Sequence, residues 1–156
     1  MEAPSIDLKH PLVITDYDAH SYHFAECCNP VPGDDVIGFV EKDGSVTIHQ
    51  RRCEVANKLK TGQGNRIVTI EWRTEETLFP VDIYIKGIDS MGTLGRVSDV
   101  VSGQMNANIT KVSIEAHEGI FEGVIRIMVH SLDDVSKIRN GLKKIPGIKT
   151  AVRKEE

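Results

Sequence analysis

Residues 81–105, VDIYIKGIDSMGTLGRVSDVVSGQM, carry two different hydrophobic periods in one short stretch. Val81, Ile83 and Ile85 alternate with polar residues, which is the period of a strand with one buried face. After a turn that contains Gly92, the apolar residues return at helical spacing. They are Leu94, Val97, Val101 and Met105. The stretch therefore predicts a strand, a tight turn and a helix.

The remainder of the second half continues this alternation of strands and helices. Residues 108–116 and 121–130 alternate apolar and polar side chains on either side of a His117-Glu118-Gly119 turn, so they predict a hairpin. A second apolar stripe at helical spacing ends at Pro146-Gly147, and residues 148–152 alternate as a last strand. The stripe consists of Val135, Ile138, Leu142 and Ile145.

The order βαββαβ predicts that two amphipathic helices cover one face of an antiparallel sheet, which is the ferredoxin-like arrangement. Residues 108–116 are expected to lie at an edge of this sheet, where the domain could pair with a second copy or with a partner. Their alternating positions are Thr110, Val112, Ile114 and Ala116.

The first half of the chain has shorter and less regular patterns, typical of a small mixed domain. The predicted elements are a short strand in residues 12–24, a hairpin in 36–49 that turns at Lys42-Asp43-Gly44, a helix in 51–60 and a strand in 66–72. The predicted core is small, so an additional cross-link would help this domain to fold. It comprises Val36, Ile37, Phe39, Val40, Val46, Ile48, Val55, Leu59, Ile67, Val68 and Ile70.

Pro80 marks the predicted domain boundary, because proline ends regular strand pairing and forces an extended conformation on the residue before it. We therefore divide the chain into residues 1–79 and 80–156, and we assign it to the α+β class. The first domain is the small mixed one that contains the cysteines, and the second is the βαββαβ domain.

Composition indicates an ordinary globular protein, with 40% apolar and 27% charged residues. No apolar run approaches the length of a membrane span, and residues 1–10 lack the features of a signal peptide, so we expect a cytoplasmic protein with no membrane partner. The net charge of −4 argues against a broad surface that coats nucleic acid. A local basic strip is a candidate RNA contact, although such charges are more often only solvated. It consists of Arg51, Arg52, Lys58, Lys60 and Arg66.

Three cysteines are too few for a disulfide framework, and two of them, Cys27 and Cys28, are adjacent. His49 and Cys53 follow at a spacing that suits zinc, whose ligands are thiolates and imidazoles. Adjacent side chains point to opposite faces of an extended segment, so both thiols can reach one ion only if the chain bends at Asn29-Pro30. Otherwise His23 or water would replace one of the thiols.

Two further interpretations of the cysteines remain open. A free cysteine is commonly a small buried residue with no ligand role. A redox or nucleophilic thiol needs a base, an orienting group and an oxyanion site, and the sequence does not indicate such a set. The paired acids Asp34 and Asp35 follow a Pro-Gly turn and are interpreted as a solvated loop.

Gly92 and Gly95 lie in the loop between the first strand and the first helix of the second half. The loop lacks the lysine and hydroxyl residues of nucleotide-binding loops. A helix N-terminus with free amides suits the carboxylate of an amino acid, and Asn108 of a second copy could assist. Alternatively, Gly92 serves only the packing of the helix.

Residues 25–53, AECCNPVPGDDVIGFVEKDGSVTIHQRRC, resemble the cysteine-rich segment in the regulatory half of long RelA/SpoT homologues, the bacterial synthetases and hydrolases of (p)ppGpp. The following βαββαβ pattern, with IDSMGTLGRVSDV at its first turn, is similar to the ACT domain of those proteins. The resemblance implies a zinc-finger-like or RIS domain followed by an ACT domain. It places zinc ligands at Cys27, Cys28, His49 and Cys53, and amino-acid ligand positions at Asp89, Ser90, Gly92, Thr93, Leu94, Asn108 and Ile109.

The same resemblance implies a regulatory fragment without catalytic activity, whose hydrolase and synthetase domains lie upstream. The intact parent would be a GTP pyrophosphokinase, a (p)ppGpp hydrolase or both, and its partners would be the ribosome and uncharged tRNA. Some family members bind branched-chain amino acids through the ACT domain. An alternative is an independent ACT-type amino-acid sensor that forms a homodimer.

Overall fold

The structure is a computed structural model that describes residues 10–16, 22–63, 66–88 and 92–154. The chain forms two compact units, the first ending at Thr77 and the second beginning at Leu78. Both units combine helices and strands, so the predicted α+β class is confirmed. The boundary predicted after Phe79 stays a proposal; Phe79 itself is the first residue of a strand in the second unit, where it pairs with Val129.

The first unit contains six strands and one helix among its described residues. They are β1 (Leu12–Thr15), β2 (Tyr22–Phe24), β3 (Val36–Val40), β4 (Val46–Gln50), α1 (Glu54–Gln63), β5 (Ile67–Val68) and β6 (Ile70–Arg73). The main sheet has the order β2-β4-β3-β5, and β1 and β6 form a separate parallel pair. β3 and β4 are the predicted hairpin, whose turn is held by the carboxylate of Asp43, which accepts bonds from the amide and hydroxyl of Ser45.

The main sheet of the first unit is buried on both faces. On one face Val36, Val46 and Ile48 pack with Ile14 of β1, and on the other Ile37 and Phe39 pack with the cysteines and helix α1. The apolar core is therefore divided into two small layers. Each layer alone is thin for a folded unit, in agreement with the small core that the sequence predicts.

The prediction that Val55 belongs to the core is wrong, because its side chain is 40% exposed. Helix α1 begins at Glu54 and not at residue 51, so Ala56 and Leu59, which are three positions apart, face the sheet. Val55 lies on the outer side of this helix. The predicted helix is thus present from residue 54, but the pair Val55 and Leu59 did not suffice to predict which side of the helix faces the sheet.

Asp16, which follows β1, binds the segment that ends the first unit. Its carboxylate accepts hydrogen bonds from the backbone amides of Glu75, Glu76 and Thr77, and from the hydroxyl of Thr77. The Thr77 hydroxyl, followed by these amides, holds the pKa of Asp16 well below its ordinary value of 3.8. The bonds join residues about sixty positions apart in sequence, so they fix the end of the first unit to its first strand.

We expect Asp16→Asn to lower the urea midpoint of the first unit at pH 7. A carboxyl whose pKa is depressed on folding stabilises the folded state fully above its unfolded pKa, and this contribution is lost as the pH falls through the folded value. The gap between wild type and variant should therefore shrink below about pH 4. Fluorescence of Trp72, the single tryptophan, reports unfolding of this unit.

Glu76→Gln is the matched control for this prediction. It removes an exposed negative charge from the same segment while leaving its backbone amide free to donate to Asp16. Its urea midpoint should follow that of wild type at every pH. A gap between Asp16→Asn and wild type that stays constant from pH 7 to pH 3 would contradict the role given to the ionised carboxylate.

The second unit has the predicted order βαββαβ. Its elements are β7 (Phe79–Ile88), α2 (Thr93–Ser98) with a π-helical turn (Asp99–Gln104), β8 (Asn108–His117), β9 (Ile120–Val129), α3 (Leu132–Lys143) and β10 (Ile148–Arg153). All pairs in the sheet are antiparallel, in the order β10-β7-β9-β8. The ferredoxin-like fold and the edge position of residues 108–116 are thus confirmed.

One face of this sheet and the helices form the core of the second unit. The fully buried side chains include Val81, Ile83 and Ile85 of β7, which the alternating pattern placed on one face. The buried helical residues are Val97 and Val101 with Val135, Ile138 and Leu142. The apolar stripes read from the sequence therefore identify most of this core.

Four positions of the predicted alternating or helical stripes are exposed: Leu94 in α2, and Thr110, Val112 and Ala116 in β8. Leu94 is 51% exposed, because Thr93 and Val97, four positions apart, form the buried side of the short helix α2. Val112 is 56% exposed, since β8 lies at the sheet edge and is bordered by a strand on one side only.

Among the described residues, none of the helices combines the length and apolarity that a bilayer crossing requires.

Candidate functional site

The cysteine pair lies in a turn directly after β2. Asn29 adopts a left-handed conformation with φ of 42°, and its amide donates to the carbonyl of Ala25, so the chain bends sharply immediately after the two cysteines. Asparagine tolerates this region better than most residues, because its short polar side chain bonds locally. The bend places the side chains of Cys27 and Cys28 on the same side of the turn, toward β4.

His49 and Cys53 are positioned by β4 and by the start of α1. β2 runs parallel to β4 with Phe24 opposite Ile48, which places the cysteine turn beside His49. Cys53 lies one residue before α1, where its amide donates to Gln50 and its carbonyl accepts from Asn57. The turn and the helix start therefore meet at the end of one strand.

The four predicted ligand residues form one compact cluster. The Sγ atom of Cys27 is 3.9 Å from Sγ of Cys28, 3.7 Å from Sγ of Cys53 and 3.4 Å from Nδ1 of His49. The Nδ1 atom is also 3.9 Å from Sγ of Cys28, and the four ligand atoms all lie within 4.8 Å of one another. Ligands of tetrahedral zinc are separated by about 3.8 Å between sulfurs and about 3.6 Å between sulfur and nitrogen. The cluster thus has the size of a Cys3His zinc site.

The surroundings of the cluster shift the pKa values of its ligand atoms. The pKa of Cys28 is raised to about 12, mainly by burial and also by the thiols of Cys27 and Cys53, while the amide of Gln50 at 3.3 Å from Sγ opposes the shift. Burial lowers the pKa of His49, so its imidazole is neutral and able to coordinate. Three thiolates in this space need a cation to offset their mutual repulsion.

Gln50 and Phe39 support the cluster; the sequence analysis placed Phe39 in the core but assigned neither residue to the site. Gln50 donates from its amide to Sγ of Cys28 and from its side chain to the Cys28 carbonyl, which fixes the cysteine turn. The ring of Phe39 contacts His49 edge to face at 5.7 Å between centroids. Gln50 follows His49 directly in sequence, and this adjacency was the only signal that could have identified it.

The structure bears on each of the alternatives considered for the cysteines. His23 lies exposed on β2 and does not belong to the cluster, so it does not replace either thiol. The three cysteines carry no disulfide. Cys27 and Cys28 are half-buried and Cys53 is buried, so they are also part of the small layer that contains Phe39.

The predicted amino-acid site lies at the start of α2. Asp89 and Ser90 lie outside the described residues. Gly92 caps the helix with φ of 85°, and a side chain there would meet nothing within 4 Å, so the residue is needed for its backbone conformation and not for helix packing. Thr93 is buried, whereas Leu94 is exposed.

The two remaining predicted positions open strand β8. Asn108 is exposed, and Ile109 is half-buried opposite Ile127 of β9. Asn108 lies at the outer edge of the sheet, where it is available to a neighbouring molecule. These positions stay a prediction, as does the assignment of the whole amino-acid site.

The predicted basic strip is mostly engaged within the first unit. Arg51 pairs with Asp35 at 3.0 Å, Arg52 donates to the side chain of Gln50, and Arg66 donates to the carbonyls of residues 40 and 41. These arginines organise the hairpin and the segment after α1. Arg51 and Arg52 nevertheless remain exposed, as does Lys58 of the same strip.

The fold and the cluster define a class of protein: a two-unit α+β module with a Cys3His cluster in the first unit and a ferredoxin-like second unit. The models of two families match the chain in this order, the RelA/SpoT RIS domain over residues 12–73 and the ACT domain over residues 75–153. The chain belongs to the RelA/SpoT family and consists of the RIS and ACT domains of its regulatory region. The resemblance noted in the sequence is confirmed.

Several longer proteins and one solved structure are similar to parts of the chain. The chain is 35% identical over 92 residues to the GTP pyrophosphokinase of Streptomyces coelicolor, covering 58% of this chain and 11% of the relative. It is 24% identical over 147 residues to the GTP pyrophosphokinase of Haemophilus influenzae, covering 91% and 19%. The chain thus spans a fifth or less of the length of these relatives. The crystal structure of the ACT domain from the GTP pyrophosphokinase of Chlorobium tepidum, 29% identical, covers 50% of this chain and all of that domain, with a TM-score of 0.46.

Proposed function

We propose that the chain is a regulatory module of a stringent-response enzyme and has no catalytic activity of its own. The succession of a RIS domain and an ACT domain, with the Cys3His cluster in the first, is the observation that carries this proposal. The parent would be a GTP pyrophosphokinase, a (p)ppGpp hydrolase or both, with its catalytic domains upstream. The ribosome with uncharged tRNA is the proposed partner.

We propose that the cluster holds a structural Zn²⁺. Four protein ligands fill a tetrahedral coordination sphere, so no position is left for a reacting water, as it would be in a catalytic site. The match of the sulfur and nitrogen distances to a tetrahedron supports zinc. The ion would join the turn after β2, strand β4 and helix α1, and so supplement a thin apolar layer.

The purified chain tests the absence of catalysis and the presence of a partner. Incubation with ATP and GDP or GTP should produce no alarmone, and incubation with (p)ppGpp should leave it intact. In sedimentation with purified ribosomes, the chain should pellet more with uncharged than with aminoacylated tRNA in the mixture. Robust synthesis or hydrolysis would show an enzyme, and equal partitioning with and without ribosomes would argue against the proposed partner.

A second candidate function is amino-acid sensing by an ACT homodimer. Open space at Gly92, exposed Leu94 and the exposed start of β8 at Asn108 support it, because a neighbouring copy at that edge would complete a pocket for an apolar side chain. Calorimetric titration with valine, leucine and isoleucine should give heat at millimolar concentration, whereas lysine should not. This candidate would be excluded if the chain were monomeric and its titration with valine, leucine or isoleucine gave no heat.

A further inference from the structure

A groove of about 590 Å³ lies in the second unit between α3 and the helical segment formed by α2 and its π-helical turn. The residues that line it come from both helices and from the segment that follows α3. None of them belongs to the predicted amino-acid site, whose described positions are 92–94, 108 and 109. The groove is therefore a separate feature of the ACT domain.

The π-helical turn shapes the floor of this groove. The amide of Met105 donates to the carbonyl of Val100, five residues back, at 2.9 Å, which widens the helix at this point. Val100 and Ile145 are buried and Met105 is half-buried, so the floor is apolar. Gly141 allows close approach of α3, since a Cβ atom there would lie 2.6 Å from Cε of Met105.

The rim of the groove is cationic. Arg96 of α2 and Lys137 of α3 line it together with Lys144, whereas Asp99 is the one carboxylate among its lining residues. Lys137 also lies near Asp134; burial raises the pKa of this carboxyl, but hydrogen bonds from His130 and, to a smaller extent, the charge of Lys137 lower it overall. Within the described part of the chain, Arg96 and Lys144 form no ion pair. Two positive charges in excess therefore face a concave apolar surface.

We propose that this groove binds a small organic anion, with the apolar body of the ligand on the floor and its anionic group among Arg96, Lys137 and Lys144. Small-molecule sites commonly have volumes of about 300–1,000 Å³, mostly apolar walls and a few polar groups that orient the ligand. The groove has each of these properties. Its charge selects an anion over a neutral or cationic ligand of the same shape.

Octanoate is a suitable probe, and octanamide is its neutral match. In titrations of the ¹⁵N-labelled chain, octanoate should produce saturable amide shifts confined to residues 96–105 and 137–146. The double variant Lys137→Gln with Lys144→Gln should bind octanoate about tenfold more weakly, because each exposed charge pair contributes a few-fold in affinity. The same double variant should bind octanoate and octanamide about equally.

Lys143→Gln with Lys149→Gln is the matched control, since it removes two exposed lysines of the same unit that do not line the groove. Its octanoate affinity should equal that of wild type. Both double variants should keep the wild-type spectrum, because all four lysines are exposed. Three of them lie in or next to α3, where glutamine is a good helix former, and Lys149 lies on strand β10. The proposal would be overturned if wild type bound octanoate and octanamide equally, or if the amide shifts were centred on Gly92 and Asn108. It would also be overturned if a glutamate-rich peptide produced shifts and octanoate did not.

Discussion

Cys53→Ser is expected to lose the proposed Zn²⁺ and to lower the free energy of unfolding of the RIS domain by about 4 kcal/mol, the stabilisation that a ligand at a thousandfold its Kd supplies. Serine is nearly isosteric with cysteine but does not supply a thiolate. Cys53 is buried and its Sγ lies 3.7 Å from that of Cys27, so the substitution removes one corner of the tetrahedron. Cys27 and Cys28 would then be held by the thin layer around Phe39 and by the hydrogen bonds from Gln50, without the cross-link to α1.

Two measurements check this expectation. Elemental analysis should find about one zinc per wild-type chain and much less in the variant. Urea unfolding followed by Trp72 fluorescence reports the RIS domain specifically, because this single tryptophan packs against the core on the other face of the same sheet. Wild type treated with a chelator should unfold at the midpoint of Cys53→Ser.

His23→Gln provides the control for metal binding. His23 is an exposed histidine on β2, close in sequence to the cysteine turn but outside the cluster. It should retain a full equivalent of zinc and the wild-type midpoint. Loss of zinc on this substitution, or a full equivalent retained by Cys53→Ser, would show that the Cys3His set is not the coordination sphere.

The ACT half could be predicted because its elements are long. Strands of ten residues, such as β7 and β9, display the period of two several times, and α3 displays its stripe over three turns. The errors arose where the elements are short or at an edge. Six residues in α2 leave the phase of Leu94 undetermined, and a period alone does not show that the strand of Val112 lies at the edge.

The RIS half was harder to predict, because its pairing is mostly non-local. β1 pairs in parallel with β6, and β2 with β4, and neither pairing has a signature in the residues between them. β5 has two residues, which is too short for any period. The Asp16 bonds to Thr77 likewise depend on this distant pairing.

The candidate metal site illustrates which properties of a site the sequence contains. Residue types and spacing indicated four ligands, but the distances between their ligand atoms depend on the left-handed conformation of Asn29 and on the parallel alignment of β2 with β4. Gln50 was missed because its role comes from contact with Cys28 and not from a motif. The groove beside α3 was also missed, since a π-helical turn and the approach at Gly141 are properties of packing.

Gly123→Ala is expected to destabilise the ACT domain by about 3 kcal/mol or more, the upper part of the range for overpacking. Gly123 lies in β9 between Ile85 of β7 and Ile114 of β8. A Cβ atom there would lie 2.6 Å from Cα of Ile114 and would also clash with the carbonyl oxygen of Ser113. Backbone cannot move aside as a flexible side chain can, so β8 must separate from β9.

The sign of this prediction is opposite to that of strand propensity, since glycine in a strand is ordinarily less favourable than alanine. Hydrogen exchange should therefore show lost protection in residues 108–117 and 120–129 of the variant. Gly95→Ala is the matched control, because a Cβ atom at Gly95 meets nothing within 4 Å and alanine favours helix α2 by up to about 1 kcal/mol. It should leave exchange of both strands unchanged or slower, and wild-type protection of β8 in Gly123→Ala would contradict the close approach of the two strands.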